Sequence, residues 1–320
     1  MNNSTLIIGG TTASGKTTLA INLVCKLKHT YNIDAEIINA DSVQVYHDLK
    51  ILTAYPTNEE LDKAHHNLFG ILSPYDSLSV TSWLELAKTE IKRLNNANKI
   101  AIVCGGTGFY IQALLNGIAK IPSIPKEFRE QVQNYFNEIG RDMFFEELYK
   151  IDPISAQKLN KNDTQRILRA YEVASYTGKS LSEWWKQKNT NYSENIIDTI
   201  VLLPEKEKVK ERARIRLLKM INSGAIEEVQ KFNEKYENYT GALREVIGYR
   251  EICDFLRSND TLKYEKMMEN MRVRTNQYIK RQSTWFRNQL KNATFIQNFG
   301  NESSIVNKVL RIILSSADQK

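Results

Sequence analysis

Several features are scarce or missing in this 320-residue sequence. Its three cysteines, Cys25, Cys104 and Cys253, lie far apart and form no C-x-x-C pair, a usage typical of inert thiols in a reducing cytosol. No apolar run approaches the length of a membrane span, and the short N-terminal run has no basic flank of the kind that begins a signal peptide. We therefore expect a cytoplasmic protein that does not contact a membrane.

Acidic residues are missing from the stretch 270–300, where basic and aromatic side chains are interspersed. A surface with bases and no acids suits a nucleic-acid backbone, and the formal net charge of +7 is compatible with a polyanionic partner. Helical spacing predicts that Tyr278, Trp285 and Phe286 pack on the core of the protein. The bases of this stretch are Arg272, Arg274, Lys280, Arg281, Arg287 and Lys291.

Short apolar runs alternate with helical patterns along most of the chain. The runs read as buried strands, so the pattern predicts an α/β fold whose parallel sheet core is flanked by helices. The candidate strands are TLIIGG, AEIINADS, KIAIVCGG, DTIVLLP and a last short TFIQNF. Residues 119–195 show only helical patterns, which predicts a helical insertion domain between the two parts of the core, 1–118 and 196–320.

A glycine-rich loop follows the first predicted strand and opens the first predicted helix. It fits the pattern G-x-x-x-x-G-K-[ST], which is typical of a P-loop NTPase-like core. In such a loop the backbone N–H groups and a lysine bind phosphate, and the last hydroxyl binds Mg²⁺. The loop alone favours a kinase or NTPase without fixing the reaction. Its residues are Gly10, Thr11, Thr12, Ala13, Ser14, Gly15, Lys16 and Thr17.

Two further polar groups follow predicted strands. Asp41 comes where the second strand ends, and Thr107 stands in the glycine-rich VCGGTGFY at the end of the third. Since ligands of open parallel sheets bind beyond the carboxyl ends of the strands, both should face the same crevice as Lys16. Asp41 is interpreted as a general base or a magnesium ligand, with a turn cap as the alternative. Thr107 either donates to a phosphate or to the nucleophile, or simply closes a tight turn.

Seven sequence blocks together resemble the bacterial tRNA dimethylallyltransferases, also called tRNA isopentenyltransferases. They occur in the family's order between residues 6 and about 290, and DSVQVY and KRQSTWFR are more specific than the phosphate loop. The blocks are GGTTASGKT, INADSVQVY, HHNLFGIL, VCGGTGFYIQALL, NDTQRILRAYEV, VIGYREI and KRQSTWFR.

The resemblance implies the reaction. Members of that family transfer a dimethylallyl group from dimethylallyl diphosphate to N6 of adenosine 37, next to the anticodon, in tRNAs that read codons beginning with U. By this resemblance Asp41 is the general base, Thr107 and Lys16 complete the catalytic residues, and the loop from Gly10 to Thr17 binds the diphosphate with Mg²⁺ at Thr17. The expected partners are dimethylallyl diphosphate and the anticodon stem-loop of tRNA, and we expect a monomer.

The resemblance also implies which residues contact tRNA. They come from the crevice, from the predicted insertion and from the block VIGYREI. They are Asp41, Ser42, Val43, Gln44, Thr107, Arg129, Gln165, Arg166, Ile167, Leu168, Arg169, Gly248, Tyr249 and Arg250. For the arginines, and most of all for Arg129, the alternative is a solvated helix face or an intramolecular ion pair.

The chain departs from the family's pattern at three positions. Thr11 replaces a proline of the phosphate loop, and in KILTAYP Leu52 replaces a glycine and Tyr55 a lysine. These changes bear on tRNA specificity more than on the reaction class. Three other functions remain as alternatives, namely prenyl transfer to free adenosine nucleotide, a small-molecule kinase and a non-catalytic RNA-binding protein.

Overall fold

The computed structural model describes residues 4–186, 196–257 and 261–318, and the chain divides into two compact units. Unit 1 comprises Met1–Leu115 with Tyr192–Lys320, and unit 2 comprises Asn116–Asn191. Residues 187–195, at the end of the predicted insertion, lie outside the described part of the chain. Among the described residues, no helix is both long enough and apolar enough to cross a membrane.

Unit 1 is built on a six-stranded, all-parallel sheet in the order β3-β2-β4-β1-β5-β6, which confirms the predicted α/β fold. Every residue of the central strands β1 and β4 is buried, as their uninterrupted apolar sequences require. Edge strand β3 has only two residues, too few for a period to be visible in the sequence. The strands are β1 Thr5–Gly10, β2 Ala35–Asn39, β3 His66–Asn67, β4 Ile100–Gly105, β5 Ile196–Leu202 and β6 Thr294–Ile296.

Helices flank this sheet. The largest core cluster joins apolar residues of α1 and α14 to strands β1, β2, β4 and β5. The unit-1 helices are α1 Lys16–Tyr31, α2 Lys50–Thr53, α3 Asn58–Lys63, α4 Val80–Asn96, α5 Gly108–Asn116, α10 Lys206–Asn222, α11 Ala225–Lys235, α12 Tyr249–Leu256, α13 Thr261–Gln289 and α14 Ser303–Asp318, with a 3₁₀ turn at Ala242–Glu245.

Leu52, one of the departures from the family pattern, is buried in a second core cluster of unit 1 that includes Tyr249 and Met271. Its methyl group lies against Gly248, whose φ is +105°. A Cβ at Gly248 would come within 2.8 Å of both Leu52 and Met271. The larger side chain at position 52 is therefore accommodated by a glycine on the facing element.

Unit 2 is helical. Its core contains Phe144, Leu148 and Ile167, and the buried carboxylate of Asp152 accepts backbone N–H bonds from Ser155 at 3.0 Å and Ser182 at 3.2 Å. The first helix is interrupted at Gly140, where φ is 78° and ψ is 168°. The helices are α6 Lys126–Ile151, α7 Pro153–Lys158, α8 Thr164–Thr177 and α9 Leu181–Lys186.

Candidate active site

The phosphate loop runs from the end of β1 into the first turn of α1. Gly15 caps the helix with φ at +87°, a backbone conformation that favours glycine. The Lys16 ammonium lies 3.4 Å from the carbonyl of Thr11, and burial lowers the pKa of Lys16. The side chains of Thr11 and Ser14 are buried, and the loop lines the crevice through Thr12, Lys16 and Thr17.

Asp41 lies two residues beyond β2 in a turn held by Asn39. The Asn39 side chain accepts from the Asp41 N–H at 2.8 Å and donates to the Asp41 carbonyl at 3.0 Å. One carboxylate oxygen, Oδ1, accepts from the N–H of Val43 at 3.1 Å. Asp41 thus caps its own turn, as the alternative interpretation proposed, and also lines the crevice beside Lys16.

Thr107 connects the loop after β4 to the loop after β2. Its N–H donates to the Ala40 carbonyl at 3.1 Å, and its hydroxyl accepts from the N–H of Ser42 at 3.0 Å. The same hydroxyl donates to Ser42 Oγ at 3.2 Å. These bonds fix the position of the residue that follows Asp41.

A cavity of about 330 Å³ brings the phosphate loop and the carboxylate of Asp41 together, because Lys16, Thr17 and Asp41 all line it. Ser42, Val43 and Gln44 line it as well, whereas Thr107 lines an adjacent cavity of about 260 Å³. The sequence did not predict that several further residues line this crevice. They are Arg216, Met220, Val246, Arg274, Tyr278, Arg281 and Gln282.

Two aromatic residues of α13 differ from their predicted placement. Phe286 is fully buried as expected, but Tyr278 and Trp285 are only half-buried and line the crevice. Helical spacing places them on one face of α13, and that face lines the two adjacent cavities. Burial and the nearby Asp41 raise the pKa of Tyr278, so its hydroxyl stays protonated at neutral pH.

Arg216 was missed because α10 is charged along its whole length. Arg214, two residues earlier, is exposed and pairs with Glu211 at 2.8 Å. Arg216 instead faces the crevice, where burial lowers its pKa and the charge of Asp41 partly offsets that effect. Only the tertiary structure distinguishes one arginine of this helix from the next.

Comparison with known proteins identifies the family. The IPP transferase family model matches residues 44–289, which is more than half of the chain. The chain belongs to the IPP transferase family. A tRNA dimethylallyltransferase of Pelagibacter ubique is 38% identical over 285 residues, covering 89% of this chain and 88% of its own. One of Rickettsia conorii is 38% identical over 291 residues, covering 90% of this chain and 77% of its own.

Solved structures agree with this assignment. A tRNA isopentenylpyrophosphate transferase of Bacillus halodurans superposes with a TM-score of 0.69 at 28% identity, covering 99% of this chain and 97% of that one. A eukaryotic dimethylallyltransferase acting on tRNA superposes with a TM-score of 0.77 at 27% identity, covering 92% of this chain and 73% of that one.

This IPP transferase has a second cavity of about 560 Å³ that Lys16 and Thr17 also line. Tyr55, at a departure from the family pattern, lines it beneath the Lys50 ammonium, which lies 5.0 Å from the ring centroid. Glu60 is its acidic residue, and its bases are Lys16, Lys50, Arg212, Arg216 and Lys219. The strong excess of positive charge suits a phosphorylated ligand at the loop.

Some residues that the family resemblance assigns to tRNA contact make intramolecular bonds in unit 1. The Gln44 amide donates to the carbonyls of Thr53 at 3.1 Å and Ala54 at 2.6 Å. The buried Tyr249 donates its hydroxyl to Asn233 at 2.7 Å, and Arg250 pairs with Glu245. Gly248 begins α12, and its N–H donates to Glu251 at 3.0 Å.

The predicted tRNA contacts of unit 2 differ in exposure. The side chain of Ile167 is fully buried in the core of unit 2, so contact through that side chain would require unfolding. Arg129, Gln165 and Arg166 are exposed, whereas Leu168 and Arg169 are half-buried. Arg166 pairs with Asp163 at 3.3 Å and Arg169 with Glu172 at 3.3 Å, as the ion-pair alternative foresaw.

The basic stretch 270–300, which begins on α13 and continues past its end, is less positive than its sequence suggests. Arg272 pairs with Glu269 at 2.6 Å, and Arg274 pairs with Glu251 at 2.7 Å. Among the described residues, no acidic partner is seen for the remaining four bases, which are exposed. They are Lys280, Arg281, Arg287 and Lys291.

A magnesium ion would have few protein ligands. Within the described ranges, no group of three or more His, Cys, Asp or Glu side chains could hold a metal. Thr17 and Asp41 do line one cavity, and Mg²⁺ often binds one or two protein oxygens together with phosphate oxygens of the substrate. The residues therefore fit a magnesium ion that arrives with a diphosphate.

Proposed function

We propose that this chain transfers a dimethylallyl group from dimethylallyl diphosphate to N6 of adenosine 37, beside the anticodon, in tRNAs that read codons beginning with U. Its membership of the IPP transferase family and relatives named tRNA dimethylallyltransferase support this reaction. One observation carries the proposal: a single cavity is lined by both the phosphate-loop lysine Lys16 and the carboxylate of Asp41.

The leaving group is inorganic diphosphate, whose charge grows as the allyl carbon departs. Lys16 and Arg216 are desolvated cations with Asp41 as their nearby carboxylate, so an anion between them gains more attraction than it would in water. Mg²⁺ at Thr17, when bound, would supply further neutralisation of the diphosphate charge. The allyl carbon acquires positive charge, which the carboxylate of Asp41 also stabilises.

The acceptor is the exocyclic amine of adenine, a weak nucleophile because its lone pair is delocalised into the ring. A proton must leave nitrogen as the C–N bond forms. The second carboxylate oxygen of Asp41, Oδ2, is the group proposed to accept it, while Oδ1 holds the turn through Val43. Thr107 keeps this turn in place through Ser42 and is proposed to contact the adenine or the diphosphate.

A loop base reaches such a crevice only when it is turned out of its stack. Exposed bases of α13 are proposed to bind the RNA backbone, with Tyr278 and Trp285 offering aromatic surface beside the cavity. The further proposed tRNA contacts are Ser42, Val43 and Gln44 in the crevice, Gly248, Tyr249 and Arg250 at α12, and Arg129, Gln165, Arg166, Ile167, Leu168 and Arg169 in unit 2.

Incubating purified protein with unmodified tRNA, dimethylallyl diphosphate and Mg²⁺, then digesting the tRNA for mass analysis, tests the proposal. We expect N6-dimethylallyladenosine from the anticodon loop and an equal amount of diphosphate. Faster prenylation of AMP than of tRNA would favour the free-nucleotide reaction. Consumption of ATP without any allyl diphosphate would favour a kinase.

A further inference from the structure

A buried glutamine on α13 spans the two loops of the crevice. Gln282 is only 6% exposed, and both heteroatoms of its amide are bonded. Its Oε1 accepts from the N–H of Thr12 in the phosphate loop at 2.8 Å. Its Nε2 donates to the carbonyl of Gly106, in the loop after β4, at 3.0 Å.

The two hydrogen bonds connect the loop proposed to bind the diphosphate with the loop that lies beside the proposed general base. Thr12 belongs to the loop that holds the leaving group, and Gly106 precedes Thr107, whose hydroxyl bonds fix the residue after Asp41. Gly106 itself lies close to the amide of Gln282 and the carboxylate of Asp41. A Cβ built on Gly106 would be 2.6 Å from Gln282 Nε2 and 3.4 Å from Asp41 Oδ2. The glycine lets the amide approach the carboxylate's loop this closely.

The chemistry of the amide matches this position. The phosphate loop presents an N–H and the second loop presents a carbonyl, so the bridging side chain must accept at one end and donate at the other. A primary amide does both on one planar group, whereas an ionised carboxylate only accepts. Alanine would leave the part-buried N–H of Thr12 and the buried carbonyl of Gly106 without the partners that Gln282 supplies.

We propose that Gln282 is a positioning residue that sets the separation between the phosphate loop and the loop beside Asp41. This inference rests on the proposed transfer reaction. In the proposed reaction the allyl carbon is attached to the diphosphate, and the adenine amine is oriented beside Asp41. The spacing of the two loops therefore sets the distance between the allyl carbon and the nitrogen that attacks it. A misplacement of about 1 Å costs about 100-fold in rate.

Three variants test this role in the full-length protein by single-turnover transfer, tRNA binding and thermal unfolding. Q282A is expected to lower the rate at saturating substrates by about 100-fold while tRNA affinity changes by less than about threefold. Q289A is the matched control, because Gln289 lies on the same helix, is exposed and bonds only Gln112, at 3.1 Å, among the described residues. It should react at the wild-type rate.

Q282E supplies a readout that a merely structural role would not give. Its carboxylate keeps the acceptor for Thr12 but repels the Gly106 carbonyl, and protonation restores a donor. The ratio of the Q282E rate to the wild-type rate should therefore rise several-fold between about pH 8.5 and pH 6. Lys16, Asp41, Tyr278 and Arg281 line the same cavity and are present in both proteins, so the comparison with wild type isolates the effect of the added carboxyl group.

The pH dependence of the ratio of the Q282E rate to the wild-type rate tests the positioning role even if Q282A fails to fold. A ratio that stays flat with pH, or a folded Q282A with a wild-type rate, would overturn the positioning role. Failure of the proposed function looks different, because the unaltered protein would then form no prenylated tRNA at all.

Discussion

Charged side chains lie near both ends of strand β2, and the two clusters differ in whether opposite charges within the chain balance them. At its start, the Glu36 carboxylate accepts from Lys99 at 2.7 Å, from Arg93 at 2.9 Å and from Asn67 at 3.1 Å. Beyond its other end, Lys16 and Arg216 are desolvated with Asp41 as the carboxylate that faces them. The cluster around Glu36 is electrostatically complete within the chain, whereas the cluster at the crevice is incomplete, with two cations to one carboxylate, and suits the anionic diphosphate proposed above.

The largest expected effect tests the crevice end. Asp41→Ala should slow transfer by about 1,000-fold or more while tRNA still binds, because a positioned proton acceptor contributes about 10²–10⁴-fold. Asp34→Ala is the control, since Asp34 is exposed and pairs with Lys28 at 2.8 Å. Near-normal turnover by the Asp41 variant, measured in a single-turnover assay, would reduce this residue to a turn cap.

Removing a cation from the incomplete cluster should come next. Arg216→Gln is expected to lower kcat/KM for dimethylallyl diphosphate by about 100-fold, since it removes a desolvated charge from the leaving-group site. Arg214→Gln, two residues away and paired with Glu211, should leave that constant unchanged. Equal losses in the two variants would show that general charge, and not the crevice position, governs the effect.

The complete cluster around Glu36 should contribute to the free energy of unfolding. Burial would raise the pKa of Glu36, but hydrogen bonds from Lys99, Arg93 and Asn67 outweigh it and lower the pKa to about 2, below the ordinary 4.5. The carboxylate therefore stabilises the folded state above about pH 4.5, and that stabilisation is lost as the pH falls towards 2.

Glu36→Gln should accordingly lower the free energy of unfolding by about 2 kcal/mol at pH 7, where the charged hydrogen bonds are lost. The gap between variant and wild type should narrow on acidification towards pH 3, as measured by denaturant unfolding. Transfer activity of the folded variant should be normal. A gap that is independent of pH would mean that the charge of Glu36 contributes nothing.

The smallest effect is expected where charges are exposed and locally paired. Arg166→Ala in unit 2 should weaken tRNA binding by only about two- to threefold, because Arg166 is exposed and already pairs with Asp163. Titrating tRNA at increasing salt gives the measure: the slope should become slightly shallower in the variant. A loss beyond about 30-fold would make this arginine as specific a contact as the crevice cations.

Local patterns carried much of the prediction. The phosphate loop and Asp41 follow strands whose apolar runs are visible in the sequence, so the parallel sheet and the crevice could be inferred together. Strand β3 could not, since its two residues have no period. Arg216 and Gln282 acquire their roles only through tertiary contacts, and Thr12 and Gln282 are 270 positions apart.

Charge counts along the sequence were also incomplete. The stretch 270–300 contains no acid, yet Glu269, one residue before it, and Glu251 neutralise two of its six bases. Helical spacing assigned Phe286 to the core correctly, but it could not show that Tyr278 on the same helix lines the crevice instead. The prediction for Ile167 failed to anticipate its burial for a similar reason. Its neighbours in the sequence, Gln165 and Arg166, are exposed, but Ile167 itself is fully buried.

The long span between Thr12 and Gln282 has a consequence for biosynthesis. The ribosome makes the phosphate loop first, but its partner on α13 emerges only after most of the chain has been made. Strand β1 likewise lacks its neighbour β5 until the helices of unit 2 have been synthesised. A nascent chain therefore cannot hold its crevice in the finished geometry, and competence for catalysis arises late in translation, as a property of the nearly complete polypeptide.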